Sequence, residues 1–83
     1  MKSIELTRMR SGEHGRVIKI AGGFGIIKKL EVLGIRPGVE IEKISAQIMK
    51  GPVIVKFGNT QLALGFGMAR RVIVEPVVEK AKP

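Results

Sequence analysis

The sequence predicts a mainly β fold, a small barrel of five strands with one short α-helix after the first strand. Three observations predict it. Apolar residues alternate with polar ones in short runs, glycine or proline ends each run, and the chain has only 83 residues. A chain of this length cannot cover both faces of an open five-stranded sheet. A closed barrel has one core and leaves no strand edge unpaired.

The first strand and the helix meet at a glycine turn. "GRVIKIAGG", residues 15–23, alternates apolar and polar side chains and ends at two glycines, which is typical of a strand followed by a turn. In "GIIKKLEVLG", residues 25–34, four apolar residues share one helix face. They are Ile26, Ile27, Leu30 and Leu33. Lys28 and Val32 fall on the opposite face, so the sequence predicts an outward-facing Val32.

The helix is predicted to end abruptly and to be followed by a strand. Gly34 stands directly after the last periodic residue and suits a left-handed helix stop, with Ile35 packing back on the helix. Residues 37–38, Pro-Gly, have the signature of a type II turn, in which glycine accepts a positive φ at the third position. Alternation from Val39 onward predicts the second strand. A slip in that alternation at residues 43–44 predicts a β-bulge or the strand end.

The remaining chain predicts a hairpin, a helical turn and a last strand. In "PVIVKFGNTQLALG", residues 52–65, two β-rich runs flank Gly-Asn, which fits a two-residue hairpin turn. "FGMA", residues 66–69, is the length of a single helical turn. "RRVIVEP", residues 70–76, predicts a strand that ends at its proline.

The element pattern predicts one domain over residues 1–76 and a flexible C-terminal tail over residues 77–83. The sequence leaves open whether the valines of this tail support a homo-oligomer. The absence of cysteine fits a reducing compartment. No charge-free apolar run approaches the roughly 20 residues that span a bilayer. We therefore expect a cytoplasmic protein with no membrane insertion.

The charge balance indicates an anionic partner. Fifteen Lys and Arg against seven Glu give a net charge of +8, which suits a nucleic acid, an acidic protein surface or an anionic lipid. Nucleic-acid barrels usually add aromatic platforms on which bases stack, and this chain has three Phe and no Tyr or Trp. A basic nucleic-acid-binding barrel therefore stays as the alternative function rather than the first one.

The sequence supports neither catalysis nor a metal site. His14 is the single histidine, and the chain has no cysteine or aspartate. Its neighbour Glu13 is the nearest candidate partner, but adjacent strand residues point to opposite faces. The loop "GGFGIIKK", residues 22–29, lacks the Gly-Lys-Ser/Thr of a phosphate loop. We predict a protein that is not an enzyme, with no cofactor and no metal ligands.

Two segments carry a resemblance to a known family. "KKLEVLGIRPGVEIEKI", residues 28–44, and "GNTQLALGFGMARRVIVEP", residues 58–76, resemble the FeoA family, and the likeness extends over about residues 4–76. Members of this family are small cytoplasmic SH3-like β-barrel proteins associated with bacterial ferrous iron uptake. The resemblance implies an SH3-like barrel and, as partner, FeoB, the iron permease with a cytosolic GTPase domain.

One segment departs from the family pattern. After "LAL" the family carries a basic and then acidic residues, whereas here Gly-Phe-Gly follows, which adds Phe66 as an apolar candidate for a contact. The predicted partner-binding residues are Lys28, Lys29, Val32, Arg36 and Phe66. We expect an accessory or regulatory protein of ferrous iron uptake that acts by contact with the permease. The sequence leaves open whether it activates or inhibits transport.

Overall fold

The computed structural model describes residues 2–45 and 51–77. Their strands form one antiparallel sheet in the order β1-β6-β2-β3-β4-β5. The strands are β1 Ile4–Glu5, β2 His14–Ile20, β3 Glu40–Ser45, β4 Val53–Phe57, β5 Thr60–Leu64 and β6 Val72–Val77. The helices are a 3-10 helix Leu6–Arg8, α1 Phe24–Leu33 and α2 Phe66–Ala69. The mainly β prediction and all five predicted strands are confirmed.

Two features differ from the predicted barrel. A sixth strand, β1, has only two residues and pairs with β6 through Ile4–Val74 and Glu5–Ile73. Within residues 2–45 and 51–77, β1 and β5 form the two ends of the sheet and share no strand pairing, so the barrel is not closed. The sheet is interrupted by bulges in β2 around Ile18 and between Lys43 and Ser45, and such bulges bend the strands that carry them.

The helix ends as its sequence predicts. Gly34 has a φ of +102°, in the left-handed region that glycine tolerates. Its N–H donates to the carbonyl oxygen of Glu31, and the N–H of Ile35 donates to that of Leu30, both at 2.9 Å. This pair of bonds is the Schellman arrangement and satisfies carbonyls that the helix end would leave free. Ile35 and Leu30 are both fully buried.

The predicted turns also form. Gly38 has a φ of +99°, and the N–H of Val39 donates to the carbonyl oxygen of Arg36 at 3.2 Å, as in a type II turn. β4 and β5 pair in register from Val53–Leu64 to Phe57–Thr60, so Gly58-Asn59 is the two-residue hairpin loop. The bulge predicted at residues 43–44 is present.

The C-terminal boundary differs slightly from the prediction. The strand β6 includes Val77, which the sequence assigned to the tail. Residues 78–83, the rest of the predicted tail, lie outside the described residues.

One core holds the elements together. Thirteen buried apolar residues form a single cluster, drawn from the sheet, both α-helices and the N-terminal segment. They are Leu6, Met9, Val17, Ile20, Leu30, Ile35, Ile41, Val53, Val55, Leu64, Ala69, Val72 and Val74. α1 contributes only Leu30 to the buried set. The helix is therefore held by one buried side chain and a few half-buried ones, and most of its surface faces outward.

Lys43 is the one buried charged residue among those described, and the sequence analysis missed it. Its side chain is 2% exposed, and its Nζ donates to the carbonyl oxygens of Thr7 at 2.9 Å and Met9 at 2.6 Å. Burial lowers the pKa of Lys43 below the 10.5 typical of an exposed lysine, and the nearby charge of Glu13 opposes that shift. The ammonium group thus ties the 3-10 helix and the residue after it to β3.

Candidate partner-binding surface

The outer face of α1 exposes two large apolar side chains. Phe24 is 80% exposed and Val32 is 75% exposed. With Lys28 between them, they stand at i, i+4 and i+8 and share the helix face opposite the buried Leu30. The prediction that Val32 faces outward is therefore confirmed. Phe24 was missed, although its spacing of eight residues before Val32 signals the same face.

Four of the five predicted contact residues lie on α1 or directly after it. Lys28, Lys29 and Val32 are exposed on the helix, and Arg36 is exposed in the turn that follows. We call these four residues the helix patch. Leu33, at the helix end, is 42% exposed and enlarges the apolar part of the surface. The Schellman stop and the type II turn fix the backbone between Val32 and Arg36. Local structure therefore sets the positions of these two residues relative to each other.

Phe66 belongs to a different element. It begins α2, which packs against the 3-10 helix Leu6–Arg8. Its side chain is half-buried, because this turn lies against the fold and does not stand off it. The sequence predicts a contact through this apolar side chain, and the structure shows it to be less accessible than that of Val32. Phe66 remains a candidate contact, but it is not part of the helix patch.

The cations of the helix patch have no acidic partner in the described part of the chain. The one ion pair found there joins His14 Nδ1 and Glu40 Oε2 at 3.5 Å, and neither residue belongs to the helix patch. Side chains without an intramolecular partner are available to an anionic surface. Lys28, Lys29 and Arg36 therefore form a basic rim beside Val32, which is the usual division of an interface into apolar centre and polar rim.

His14 and Glu13 do not converge. Glu13 Oε1 accepts a hydrogen bond from the backbone N–H of Arg10 at 2.7 Å, whereas His14 turns towards Glu40. A shallow cavity of about 210 Å³ lies beside His14 and is also lined by Glu40, Glu42 and Lys56. Among residues 2–45 and 51–77 no group of three or more His, Cys, Asp or Glu side chains is arranged to hold a metal ion. The geometry thus offers a paired histidine on the surface rather than an acid-base site.

A second, larger groove lies on the β1, β6 and β2 side of the sheet. It has a volume of about 510 Å³ and is lined by Arg8 and Lys19, with Ile4 and Ile73 as apolar walls. Its one carboxylate, that of Glu5, accepts a hydrogen bond from Thr7 Oγ1 at 3.0 Å. In the described ranges, no helix is both long enough and apolar enough to cross a membrane.

The chain matches known proteins along most of its length. The FeoA domain model matches residues 4–76. Over 66 residues the chain is 35% identical to the "Putative Fe(2+) transport protein A" of Methanocaldococcus jannaschii, which covers 80% of this chain and 78% of that protein. A crystal structure described as the iron uptake regulatory protein FeoA is similar with a TM-score of 0.82 and 32% identity, over 93% of this chain and 100% of that one.

A more distant likeness concerns the fold alone. A manganese-dependent transcriptional repressor contains a region with a TM-score of 0.82 to this chain at 18% identity. The match covers 90% of this chain and 42% of the repressor. The same sheet arrangement therefore also occurs as one part of longer regulatory proteins.

Proposed function

Because this chain belongs to the FeoA family, we propose that it is an accessory protein of ferrous iron transport that acts by binding a protein partner. The family match over residues 4–76 and the relative named as an Fe(2+) transport protein support the iron-transport role. The proposed partner is a FeoB-type permease, and the proposed contact is with its cytosolic GTPase domain. A contact with that domain requires the protein to lie in the cytoplasm, beside the inner face of the membrane that holds the permease.

The observation that carries the proposal is the exposure of Val32 within a basic rim. Single exposed apolar residues are common on protein surfaces and by themselves indicate nothing. Here a 75% exposed valine stands on an outward helix face, with Lys28 and Lys29 beside it and the partly exposed Leu33 next to it. Burying such a side chain against a partner contributes about 1.5–3 kcal/mol, enough to make it an anchor of a modest interface.

The proposed role needs no catalytic group. Transport of the ion would be the task of the permease, and the accessory protein would change the permease by contact. We accordingly propose a protein that is neither an enzyme nor a cofactor carrier. The support is the helix patch itself, which is built on the helix that Gly34 ends and contains neither His14 nor Glu40.

A matched pair of substitutions tests the surface. Val32→Glu places a carboxylate at the centre of the patch, and Val77→Glu makes the same change at a 36% exposed valine on β6. Binding to the isolated GTPase domain would be measured by calorimetry. We expect Val32→Glu to weaken binding by at least tenfold, since it loses the burial of the valine and desolvates a charge. Val77→Glu should bind as the unchanged protein does, and equal affinity of all three proteins would refute the assignment.

The alternative is a nucleic-acid-binding barrel. It is favoured by the net charge of +8 and by the Arg8 and Lys19 groove. The aromatic side chains favour it less, because Phe57 and Phe66 are half-buried and Phe24 alone stands free among the three. Duplex DNA titrated at physiological salt distinguishes the two functions. Binding that survives this salt concentration and involves Arg8 and Lys19 would support the alternative.

A further inference from the structure

The N-terminal tip of α1 presents a free aromatic side chain. Phe24 is the first residue of the helix and is 80% exposed. Gly22, Gly23 and Gly25 flank it, and a Cβ atom placed on Gly23 or Gly25 would meet no other atom within 4 Å. The phenyl ring therefore projects from an open part of the surface. It contributes almost nothing to the core, so folding gives no reason for an aromatic residue at this position.

Two cations lie beside the same tip, and two more line a groove that reaches Ala21. The Arg71 guanidinium lies beside Gly22, with Nη1 3.3 Å from the position that a Cβ on that glycine would take. Ala21 donates its N–H to the carbonyl oxygen of Arg71 at 2.7 Å, and it also lines the groove that contains Arg8 and Lys19. Lys28 stands one helical turn after Phe24. We call Phe24, Arg8, Lys19, Lys28 and Arg71 the basic tip.

The basic tip is not neutralised by the fold. None of its four cations belongs to an ion pair within the part of the chain that the structure describes. The single carboxylate in the groove is Glu5, which already accepts the hydroxyl of Thr7. The exposed phenyl ring thus stands in the chain between Gly22, beside which Arg71 lies, and Lys28, and among the described residues none of the four cations is in an ion pair. The whole chain, these four cations included, has a net charge of +8.

We propose that the basic tip binds the surface of an anionic lipid bilayer. In the bound state the ring of Phe24 lies at the boundary between headgroups and acyl chains, and the four cations lie against lipid phosphates. A bilayer fits this surface better than a folded protein does. A stable protein interface needs about 800 Å² from each partner with a closely packed centre. A protein partner would have to supply a pocket that matches the protruding ring of Phe24, whereas lipids rearrange around it.

The inference goes beyond the proposed function and is compatible with it. Phe24 and Val32 are separated along α1 by about 12 Å, from eight residues at 1.5 Å each. The ring of Phe24 therefore contacts the bilayer while Val32 and Arg36, towards the other end of α1, remain free for a permease domain; Lys28 belongs to both surfaces. The sequence analysis predicts no membrane insertion, and the inference changes that expectation at one side chain only. Binding to the membrane would restrict the protein to the surface on which a permease is found.

A fluorescent reporter tests whether the side chain at position 24 enters an anionic bilayer. The chain contains no Trp or Tyr, so Phe24→Trp introduces a single fluorophore at an exposed position. Vesicles of phosphatidylglycerol and phosphatidylcholine in equal parts should shift its emission to the blue at about 0.1 M salt, and vesicles of phosphatidylcholine alone should not. Ile18→Trp, at a 41% exposed position on the β2 bulge, is the control and should keep its emission in both cases. A blue shift of both reporters, or of neither, would overturn the proposal.

Sedimentation with the same anionic vesicles tests the energetics. Phe24→Ala should lower the affinity about tenfold, and Val32→Ala should leave it unchanged. Arg71→Gln and Lys19→Gln should each lower it about fivefold, and Lys56→Gln, near the β4–β5 hairpin, by less than about twofold. All five substituted positions are exposed, so each variant should fold, and thermal melts would verify this.

Three results would overturn the inference. The first is the absence of sedimentation with anionic vesicles at about 0.1 M salt. The second is equal sedimentation of the Phe24→Ala and Val32→Ala variants. The third is capture of the protein by polyglutamate without any binding to vesicles, which would assign the basic tip to an acidic protein. Because no permease is present in these experiments, their outcome is independent of the proposed function.

Discussion

Replacing Lys43 by methionine should destabilise the protein strongly. The substitution keeps an unbranched side chain of similar length in a position that is 2% exposed, but it removes the ammonium donor. The carbonyl oxygens of Thr7 and Met9 then lose the bonds of 2.9 Å and 2.6 Å that they accept from Nζ. The N-terminal segment, with the buried Leu6 and Met9, is the part of the fold that this loss affects.

The magnitude follows from two opposing effects. A hydrogen bond to a charged group contributes about 1.5–3 kcal/mol, so two such bonds contribute roughly 3–6 kcal/mol. Burying the ammonium group costs part of that, and methionine does not pay this desolvation. We expect a net loss of about 2–4 kcal/mol in the free energy of unfolding. In a domain of this size that corresponds to a fall in Tm on the order of 10–30 °C.

The pH dependence of the same variant provides a second readout. Burial lowers the pKa of Lys43 in the folded protein below its unfolded value, so the unfolded chain binds more protons between the two pKa values. The desolvation penalty is fully present below the folded pKa and disappears as pH rises towards 10.5. The unchanged protein should therefore gain stability over this pH range relative to Lys43→Met, which has no titrating group at this position.

Chemical unfolding with urea, followed by circular dichroism at several pH values, measures both effects. Lys56→Met makes the same substitution at an exposed lysine on β4 and should change stability by less than about 0.5 kcal/mol. Equal stability of the Lys43→Met variant and the unchanged protein would refute the role of the ammonium group. A relative loss of stability of the unchanged protein as pH rises towards 10.5 would refute the sign of the pKa shift.

Three further predictions concern α1. Gly34→Ala should destabilise the protein by at least about 1 kcal/mol, because φ is +102° and the new Cβ would lie 2.9 Å from Cε2 of Phe57; urea unfolding measures the loss. Leu30→Ala should cost about 2–5 kcal/mol by the same assay, since Leu30 is the buried side chain of α1, and a smaller cost would show that the half-buried residues hold the helix. Val32→Glu and Val77→Glu should each keep the Tm of the unchanged protein within a few degrees, because both valines are exposed; a large fall would invalidate them as binding probes.

The elements that the sequence predicts correctly are those with local causes. Gly34 stops the helix and Gly58-Asn59 closes the hairpin because glycine accepts backbone angles that other residues resist. Each of these two features depends on four or five neighbouring residues, so it can be predicted without knowing the rest of the fold. The outward placement of Val32 has a similar cause, since the helical period alone directs it away from Leu30.

The features that the sequence analysis missed depend on distant residues. The two-residue strand β1 is too short to show a period and exists because β6 offers it a partner. Lys43 follows the alternation of Ile41 to the inner face, but its burial requires the carbonyl groups of Thr7 and Met9, more than thirty residues earlier. No sequence pattern near Lys43 predicts its contacts with these two carbonyl groups. The sequence predicted the bulge beside it and not the bond that it makes.

The candidate site shows the same division. Four of its five residues fall together because α1 and the following turn are set by local rules. The exposure of Phe66 could not be predicted, since it depends on how α2 rests on the 3-10 helix. The basic tip combines residues from the 3-10 helix, β2, α1 and the residue before β6. Only the folded chain places Arg8 and Lys19 in one groove with Ala21, and Arg71 beside Gly22.

The most direct test of the proposed function is an NMR titration of the isotope-labelled protein with the isolated GTPase domain of a FeoB-type permease. We predict amide shifts that saturate with added domain and cluster at Lys28, Lys29, Val32 and Arg36. We also predict that the Val32→Glu variant, folded by its own spectrum, shows none of them. Saturating shifts confined to another face would contradict the site. No shifts with the domain, together with saturating shifts on duplex DNA at physiological salt, would contradict the proposed function itself.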